Sequence, residues 1–476
     1  MLLLIVFVPI VGAFTLPLLG QISAKLRNLF ALGFVLVSLL LTIALLPLAL
    51  SGQTVTAGTS FSHIFNLTLQ ADGLALFMAV VSALISSIIV LYSFGYISHY
   101  ENQNEYYLMV VLFFGAMMGL VFSSNLIFLY VFWEITGITS WRLIGFFREK
   151  QHVIRADKAF LVTIFGALLM LVGFISIYQQ TGSFDLAAIK TALQGNPVSN
   201  IAVLLIMAGI LSKSATLPFH TWLPDAGVAP SPVTALLHAA LLVKIGVYVF
   251  ARLFIATFPI EQFWHVVIPA IAAASALVSA GAALIETDLK RIIAYSTVSQ
   301  IGFIFLGLAI GNEVAVAGGI LYILMHGLAK GGLFLCAGIV EQNAKTKDIT
   351  QLGGLIKTMP ITAFAFLFCA FSVMGIPPFG GFFSKFMVIN GAVQSGHLWI
   401  TLVFVVGAFL TIIYLFRVFN MVFLGQPKSS TASEGSPVMV FSVALLAVLS
   451  ILGGILISAP SQFVQSTIQQ LPGIIR

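Results

Sequence analysis

Four lysines lie inside apolar stretches that are long enough to cross a membrane. Lys213, Lys244, Lys330 and Lys385 are each flanked by apolar runs, such as 201–211 before the first of them. A lysine at the centre of a bilayer costs roughly 2.5 to 3.5 kcal/mol even on lenient insertion scales. Four such residues in one chain therefore indicate a function that requires buried charge.

Three further ionisable residues have equally apolar surroundings. Burial weakens the hold of an ammonium group on its proton, whereas a nearby carboxylate stabilises the charged form. A lysine whose carboxylate partner approaches and withdraws can thus store and release a proton, and chains of such groups form the proton relays of membrane pumps. We expect one buried proton track made of seven residues, which are Glu134, Lys213, His238, Lys244, His326, Lys330 and Lys385.

The spacing within the track favours two relay pairs. His326 and Lys330 are four residues apart, so they share one face of a helix. His238 and Lys244 are six residues apart, which corresponds to about 9 Å of helical rise. A proton could cross either interval directly or through a water molecule.

Each residue of the track also has a purely structural alternative. Glu134 could be a lone carboxyl group that burial keeps neutral, and Lys213 could serve only as its ion-pair partner. His238 and His326 could be core histidines with satisfied hydrogen bonds. Lys385 could extend along its helix and place its charge at the membrane surface.

The composition places the chain in the membrane class. Apolar residues make up 60% of the chain and charged residues 8%, whereas about a quarter of the residues of a soluble domain are charged. Apolar stretches of about 20 residues predict an all-α polytopic protein. We expect about fourteen transmembrane helices, joined by short links, near 1–20, 29–50, 74–97, 107–123, 125–147, 158–179, 200–217, 232–258, 264–285, 292–311, 314–340, 360–395, 398–424 and 438–459.

The distribution of basic residues predicts the orientation in the cell membrane. Most of the 21 lysines and arginines fall in or beside the links after odd-numbered spans, as in 148–158, 290–291 and 345–357. The other face carries only Lys190, Arg252 and the terminal Arg476. Cytoplasmic links are enriched in lysine and arginine. We therefore expect both termini on the outer face, and the net charge of +6 does not require nucleic acid as a partner.

Helix-breaking residues lie beside a buried lysine in the seventh and twelfth spans. The segments are 211–225, with Pro218 and Pro224, and 375–385, with adjacent prolines and glycines. Paired broken helices in the two halves of a transporter are typical of inverted repeats with a site near the membrane midplane, although proline also produces ordinary kinks. The predicted regions are an N-terminal region, two inverted five-helix repeats with broken helices 7 and 12, and a C-terminal helix and tail, at 1–106, 107–258, 259–424 and 425–476.

The sequence predicts neither a cofactor nor a metal site. Cys336 and Cys369 lie in apolar spans without the spacing of metal ligands. The chain contains no glycine-rich dinucleotide fingerprint, phosphate loop or Cys-x-x-Cys pair. We therefore expect no nicotinamide, flavin or iron–sulfur centre in this chain.

Several ordered motifs carry a resemblance to a known family. The segment 212–226, followed by 231–239, resembles the signature of the antiporter-like subunits of respiratory complex I. The same signature occurs in Mrp-type sodium/proton antiporters and in membrane-bound hydrogenases. The similarity covers about residues 70 to 420, and further matches follow the family order at 132–134, 288–300, 325–330 and 375–385.

The resemblance implies roles for the seven track residues. Glu134 corresponds to the family's charge partner of the broken-helix lysine, and Lys213 to that lysine. The central connecting residues of the family match His238 with Lys244 and His326 with Lys330, and its exit-side group, glutamate in some members, matches Lys385. The family fold has fourteen helices with two inverted five-helix repeats.

The expected function is that of a non-redox, proton-translocating membrane subunit. Its host would be a complex I-like NADH:quinone oxidoreductase or a related hydrogenase complex. The alternative within the family is a subunit of an Mrp-type sodium/proton antiporter. A solitary secondary transporter for an organic solute is the alternative from another class. The expected partners are other membrane subunits, the lipid bilayer, and protons or sodium ions.

Overall fold

The computed structural model describes residues 1–60, 66–428, 432–471 and 473–474. Arg476 and residues 61–65, which belong to the link after the predicted second span, lie outside the described residues. Numbered along the chain, the α-helices are α1 Leu2–Ile22, α2 Ala24–Leu50, α3 Gly73–Tyr96, α4 Gln103–Phe122, α5 Leu126–Ile144, α6 Lys150–Thr181, α7 Leu186–Leu193, α8 Asn200–Lys213, α9 Trp222–Asp225, α10 Ser231–Ala235, α11 Leu242–Phe250, α12 Trp264–Ile285, α13 Leu289–Ile310, α14 Glu313–Ala344, α15 Pro360–Met374, α16 Gly380–Gln394, α17 Leu398–Phe423, α18 Pro437–Ile455 and α19 Ser458–Gln469.

The prediction of a helical, multi-pass membrane protein is confirmed. Within the described ranges, twelve helical segments are long and apolar enough to cross a membrane, and α8 and α15 are shorter apolar helices. A small hairpin between α2 and α3, in which strand β1 Val55–Ser60 pairs antiparallel with β2 Asn66–Ala71, adds to the predicted helices. The count of fourteen spans and the inverted repeat stay predictions.

Both predicted helix breaks are present. The first apolar helix of the pair, α8, ends at Lys213, and the short α9 and a 3₁₀ turn, Ala226–Val228, follow before Ser231. The second, α15, ends at Met374, and α16 begins at Gly380. Gly375 closes α15 with a φ of 82°, in the left-handed region that glycine adopts without strain.

Four of the track residues, His238, Lys244, His326 and Lys330, are carried by the most deeply buried helical segments. The segment Ser231–Ile255 is entirely buried, and α13 and α14 are almost entirely buried. By contrast, α1, α2, α6 and α17 expose apolar side chains, as expected for a surface that faces lipid. Six of the seven track residues are buried in the protein interior, and Glu134 on α5 is partly buried.

Ion pairs join the basic links to one another at one end of the bundle. Asp225 binds Lys158 at 2.7 Å and Arg291 at 2.6 Å, and Arg291 also binds Glu286 at 2.8 Å. Burial works to raise the pKa of Asp225, but hydrogen bonds from Lys158 and Arg291 outweigh it and hold the pKa below its ordinary value. These contacts connect links that follow the predicted fifth, seventh and ninth spans, all odd-numbered.

A buried ion pair lies at the opposite end. The guanidinium group of Arg252 donates two hydrogen bonds to Asp72, at 2.5 and 2.7 Å, and two more to the Tyr248 hydroxyl. Asp72 also caps α3 by accepting a hydrogen bond from Ala75 N at 3.0 Å. This pair fixes the start of α3 to the end of the Ser231–Ile255 segment.

We expect Arg252→Met to lower the free energy of unfolding by about 3 kcal/mol, because it leaves Asp72 buried without its partner. The double change Asp72→Asn with Arg252→Met should restore part of the loss, which unfolding of the purified complex in mild detergent can measure. Burial works to raise the pKa of Asp72, but Arg252 lowers it below 3.8, so this stabilisation exists above that pH and disappears below it. Equal stability of the native and Arg252→Met proteins would contradict this account.

Candidate functional site: a buried line of charged residues

The first part of the line joins α5 to the end of α8. Lys213 is 1% exposed, and its ammonium group donates a hydrogen bond to the carbonyl oxygen of Trp133 at 3.1 Å. The same ammonium lies 5.2 Å from the centre of the Trp133 ring, a cation–π distance. Glu134 is the next residue of α5, and one of its carboxylate oxygens is buried without a hydrogen-bond partner among the described residues.

Glu134 and Lys213 approach Gly137 from two sides. A Cβ atom at Gly137 would lie 3.4 Å from Lys213 Nζ and 3.9 Å from Glu134 Oε2. The described residues contain no direct ion pair between the two groups. Their charges interact nevertheless, so the two groups are electrostatically coupled without a direct ion pair.

Local hydrogen bonds satisfy the backbone at the first helix break. The carbonyl of Ser212 accepts a hydrogen bond from Trp222 Nε1 at 3.0 Å, and the Ser214 hydroxyl donates to Ile210 O at 2.6 Å. The amide of Leu217 donates to Ser275 Oγ at 3.3 Å. Side chains thus replace the missing helical partners, which permits α8 to end inside the protein with Lys213 in its last turn.

His238 and Lys244 lie on either side of an irregular turn. His238 belongs to a π-helical turn, Leu236–Ala240, and α11 follows with Lys244 in its first turn. Single π-helical turns are frequent at functional sites. Both residues are fully buried, and within the described part of the chain neither ring nitrogen of His238 nor Lys244 Nζ has a hydrogen-bond partner.

Gly327 makes room for the Lys244 ammonium group. A Cβ atom at Gly327 would lie 2.3 Å from Lys244 Nζ, so any side chain there would collide with it. This contact places Lys244 against α14, next to His326. On its other side, α11 packs closely on α8, since a Cβ atom at Gly246 would lie 2.6 Å from Ile210 O. The segment with Lys244 therefore bridges the first broken helix and α14.

Lys330 turns toward α13 rather than toward its predicted relay partner. Its ammonium group donates to Ser296 Oγ at 2.5 Å and to Ile293 O at 3.3 Å. His326, four residues earlier, is fully buried, and neither of its ring nitrogens has a partner among the described residues. The pair shares α14, as the spacing predicts, without a direct hydrogen bond.

Lys385 binds the C-terminal end of α15, the helix that precedes the second break. Its ammonium group donates to Val373 O at 2.6 Å, in the last turn of α15. The C-terminal end of a helix attracts positive charge. The residue is 5% exposed, and its ammonium lies 5.5 Å from the Tyr322 ring centre. The Lys385 side chain therefore does not extend to the membrane surface, in contrast to its structural alternative.

His326 is the electrostatic centre of the line. Lys244, Lys330, Lys385 and His238 all interact with its charge. The structure thus brings five of the seven predicted residues into one central cluster, and Glu134 with Lys213 form a second cluster that α11 connects to it.

Several polar residues of this region were not among the predicted site residues. Lys290, predicted to lie in the link after the ninth span, is 1% exposed and donates to Ala229 O at 2.8 Å and to Glu341 at 3.0 Å. This pair borders a cavity of about 670 Å³ at the end where the basic links meet. Further buried hydroxyl and amide groups form a hydrogen-bonded chain that begins at Lys330, namely Ser296, Tyr414, Thr411, Gln300 and Tyr322. In the sequence, these residues could have been found as polar residues within predicted apolar spans.

Two family profiles match the chain. The profile described as NADH:quinone oxidoreductase/Mrp antiporter, transmembrane, matches residues 123–411. The profile described as NADH-ubiquinone oxidoreductase (complex I), chain 5 N-terminus, matches residues 59–107. The first match includes all seven residues of the buried line.

Curated relatives are similar over nearly the whole chain. The Na(+)/H(+) antiporter subunit A1 of Staphylococcus haemolyticus is 35% identical over 498 residues, which cover 98% of this chain and 62% of the relative. The subunit of the same name from Staphylococcus aureus is 34% identical over 484 residues, which cover 94% of this chain and 60% of the relative. The chain therefore spans about three fifths of the length of these relatives.

Two solved structures share the fold. A chain of the Mrp complex from Dietzia sp. superposes with a TM-score of 0.89 at 23% identity, covering 99% of this chain and 97% of that chain. A chain of the membrane-bound sulfane sulfur reductase, an archaeal respiratory membrane complex, superposes with a TM-score of 0.91 at 25% identity, covering 98% and 97%. Because the first profile matches more than half of the sequence, the chain belongs to the NADH:quinone oxidoreductase/Mrp antiporter transmembrane family.

Proposed function

We propose that this chain is the proton-translocating part of an Mrp-type sodium/proton antiporter assembly. The observation that supports the proposal most strongly is the buried line itself, since four ionisable groups of the line lie around His326 in a largely apolar core. Burial of so many charges is costly. A protein that only needed a stable helical bundle would gain from apolar residues at the same positions.

The similarity to named antiporter subunits favours the Mrp-type reading over the complex I-like one. The relatives called Na(+)/H(+) antiporter subunit A1 match 94% or more of this chain. A subunit of a complex I-like oxidoreductase or a related respiratory complex is the second candidate, and the likeness to the sulfane sulfur reductase chain supports it. Both candidates act together with partner subunits, whereas a solitary solute transporter would act alone.

In the proposed mechanism, protons pass between the two clusters by local rearrangement. Protonated Lys213 rests on Trp133 O, and movement of Glu134 toward or away from it changes how firmly the ammonium holds its proton. Lys244 accepts the proton beside α14 and passes it to the central cluster around His326. Lys385 then releases it from the second helix break. The regions 107–258 and 259–424 would be the two inverted repeats, between 1–106 and 425–476.

We also propose that the end with the ion-paired basic links faces the cytoplasm, so that both termini lie outside. The enrichment of lysine and arginine at that end supports it. Single cysteines at the exposed positions Gln53 and Glu149 can test it with an impermeant thiol reagent on intact cells. Only the cysteine at 53 should react. Labelling of the cysteine at 149 alone would contradict the proposal and indicate the opposite orientation.

Purification of the intact assembly followed by transport measurement tests the proposed function. The chain should co-purify with other membrane subunits in mild detergent, and vesicles containing that assembly should move protons when a sodium gradient is imposed. Proton movement that requires an electron donor and ignores sodium would favour the complex I-like candidate. A chain that purifies alone and carries an organic solute would contradict both.

A further inference from the structure

A chain of hydroxyl and amide groups connects Lys330 with Lys385 by a route separate from His326. Lys330 donates to Ser296 Oγ at 2.5 Å, and Ser296 lies 2.8 Å from the Tyr414 hydroxyl. Tyr414 donates to Thr411 Oγ1 at 3.2 Å. These side chains are all fully buried, and they belong to α13, α14 and α17.

Gln300 joins this chain to a second tyrosine. Its amide nitrogen donates to Thr411 Oγ1 at 3.2 Å, and its amide oxygen accepts a hydrogen bond from the Tyr322 hydroxyl. The Tyr322 ring in turn lies 5.5 Å from the Lys385 ammonium group. Along α14 the distance from Lys330 to Tyr322 is eight residues, or about 12 Å of rise. The polar chain therefore covers the whole interval between the two lysines.

The geometry points to a gated proton relay in which the hydroxyls of Ser296 and Tyr414 take the proton from Lys330, Tyr322 delivers it toward Lys385, and Gln300 closes the path between the two tyrosines. This relay rests on the proposed function, because it specifies one step of proton transfer within the buried line. It assigns a role to four residues that the seven-residue line does not include, namely Ser296, Gln300, Tyr322 and Tyr414.

The chemistry of each group determines its part in the relay. A hydroxyl oxygen accepts a proton on a lone pair and releases its own proton to the next acceptor, so bonds made and broken balance and the group is regenerated. Ser296 and Tyr414 are oriented for this transfer, since Lys330 donates to the first and the second already donates onward. A primary amide does not exchange protons in this way. Gln300 therefore orients Tyr322 and Thr411 and blocks transfer in the arrangement observed.

Opening the gate requires only a side-chain movement. If Gln300 rotates away, the Tyr322 hydroxyl can turn its hydrogen toward a neutral Lys385 amine and release that proton there, while its oxygen accepts a proton from Tyr414, directly or through a water. The relay then predicts opposite effects for two kinds of change. Removal of a relay hydroxyl should stop proton transfer. Removal of the Gln300 amide should instead permit proton transfer at all times.

The test uses the purified assembly in vesicles and compares Tyr414→Phe, Ser296→Ala and Gln300→Ala. Tyr414→Phe and Ser296→Ala should slow sodium-driven proton flux by about tenfold or more, because each deletes one proton carrier. Gln300→Ala should instead raise the proton flux measured without a sodium gradient severalfold above native. Ser296→Thr, which keeps the hydroxyl, should recover flux relative to Ser296→Ala.

Two matched controls separate the relay from packing. Ser299→Ala removes a buried hydroxyl of the same helix that has no hydrogen-bond partner among the described residues, and Tyr92→Phe removes a buried tyrosine hydroxyl that bonds only Leu335 O. Both should transport at the native rate. Tyr414→Phe and Ser296→Ala proteins that transport like these controls would overturn the relay, and a Gln300→Ala protein without a leak would overturn the gate. Absence of sodium-driven flux in the native assembly would instead overturn the proposed function.

Discussion

Replacement of Lys213 by methionine is expected to abolish proton transport while the subunit still assembles. Methionine keeps most of the length and apolar volume of lysine, so the end of α8 and its packing against Trp133 should persist. The change removes the ammonium group that donates to Trp133 O. We expect transport by the assembled complex to fall by on the order of a hundredfold, the scale of a lost proton-transfer group.

A matched control uses a lysine outside the line. Lys190→Met changes an exposed lysine of α7 and should leave transport unchanged. Glu134→Gln keeps the shape of the charge partner but removes its negative charge, so it should slow transport less severely than Lys213→Met. Native rates in the Lys213→Met complex, with assembly verified by size-exclusion chromatography, would exclude Lys213 as a proton carrier.

The second large effect concerns Lys385. Lys385→Ala removes both the proton carrier and the hydrogen bond to Val373 O, so proton flux in vesicles should be lost. Lys385→Glu should retain measurable flux, because a carboxyl group also accepts and releases a proton at this position. A glutamate must hold its proton to donate to Val373 O, so the activity of this variant should be restricted toward acidic pH.

The comparison of the two Lys385 variants separates a proton carrier from a structural cation. A structural cation would be lost equally in both, because neither alanine nor glutamate supplies positive charge. Equal and complete loss across the whole pH range would therefore exclude a role of Lys385 in proton release. Retained flux in Lys385→Glu alone would agree with proton release.

The features that follow from local sequence were predictable. Long apolar runs determine where helices cross a membrane, and α12, Trp264–Ile285, coincides with the predicted ninth span. The breaks beside Lys213 and Lys385 followed from proline and glycine, which remove helical hydrogen bonds wherever they occur. The burial of all four lysines followed from the same runs.

The features that depend on contacts between distant segments were not predictable. Ser296 and Tyr414 are 118 residues apart and meet only because α13 and α17 pack together. Lys290 was assigned only to the link after the ninth span, and its buried contacts with Ala229 O and Glu341 depend on segments more than 50 residues away along the chain. The π-helical turn at His238 was not predictable either, because the sequence of the turn contains no helix breaker such as proline.

The bond between Lys330 and Ser296 shows the limit of spacing rules most clearly. An i, i+4 interval correctly places His326 and Lys330 on one helical face, but it does not determine which neighbour a long, flexible side chain selects. That choice depends on the acceptors that α13 presents, and these become known only in the folded protein.

The most direct test of the central claim is simultaneous recording of proton and sodium movement by the assembled complex in sealed vesicles, with native chain and with Lys330→Met. Lys330 lies in the central cluster and is also the first donor of the hydroxyl chain, so both routes require it. We predict that an imposed sodium gradient drives proton movement by the native complex. The assembled Lys330→Met complex should show no such proton movement. Equal proton flux in the two complexes would contradict the account, because a proton would then cross without the buried line.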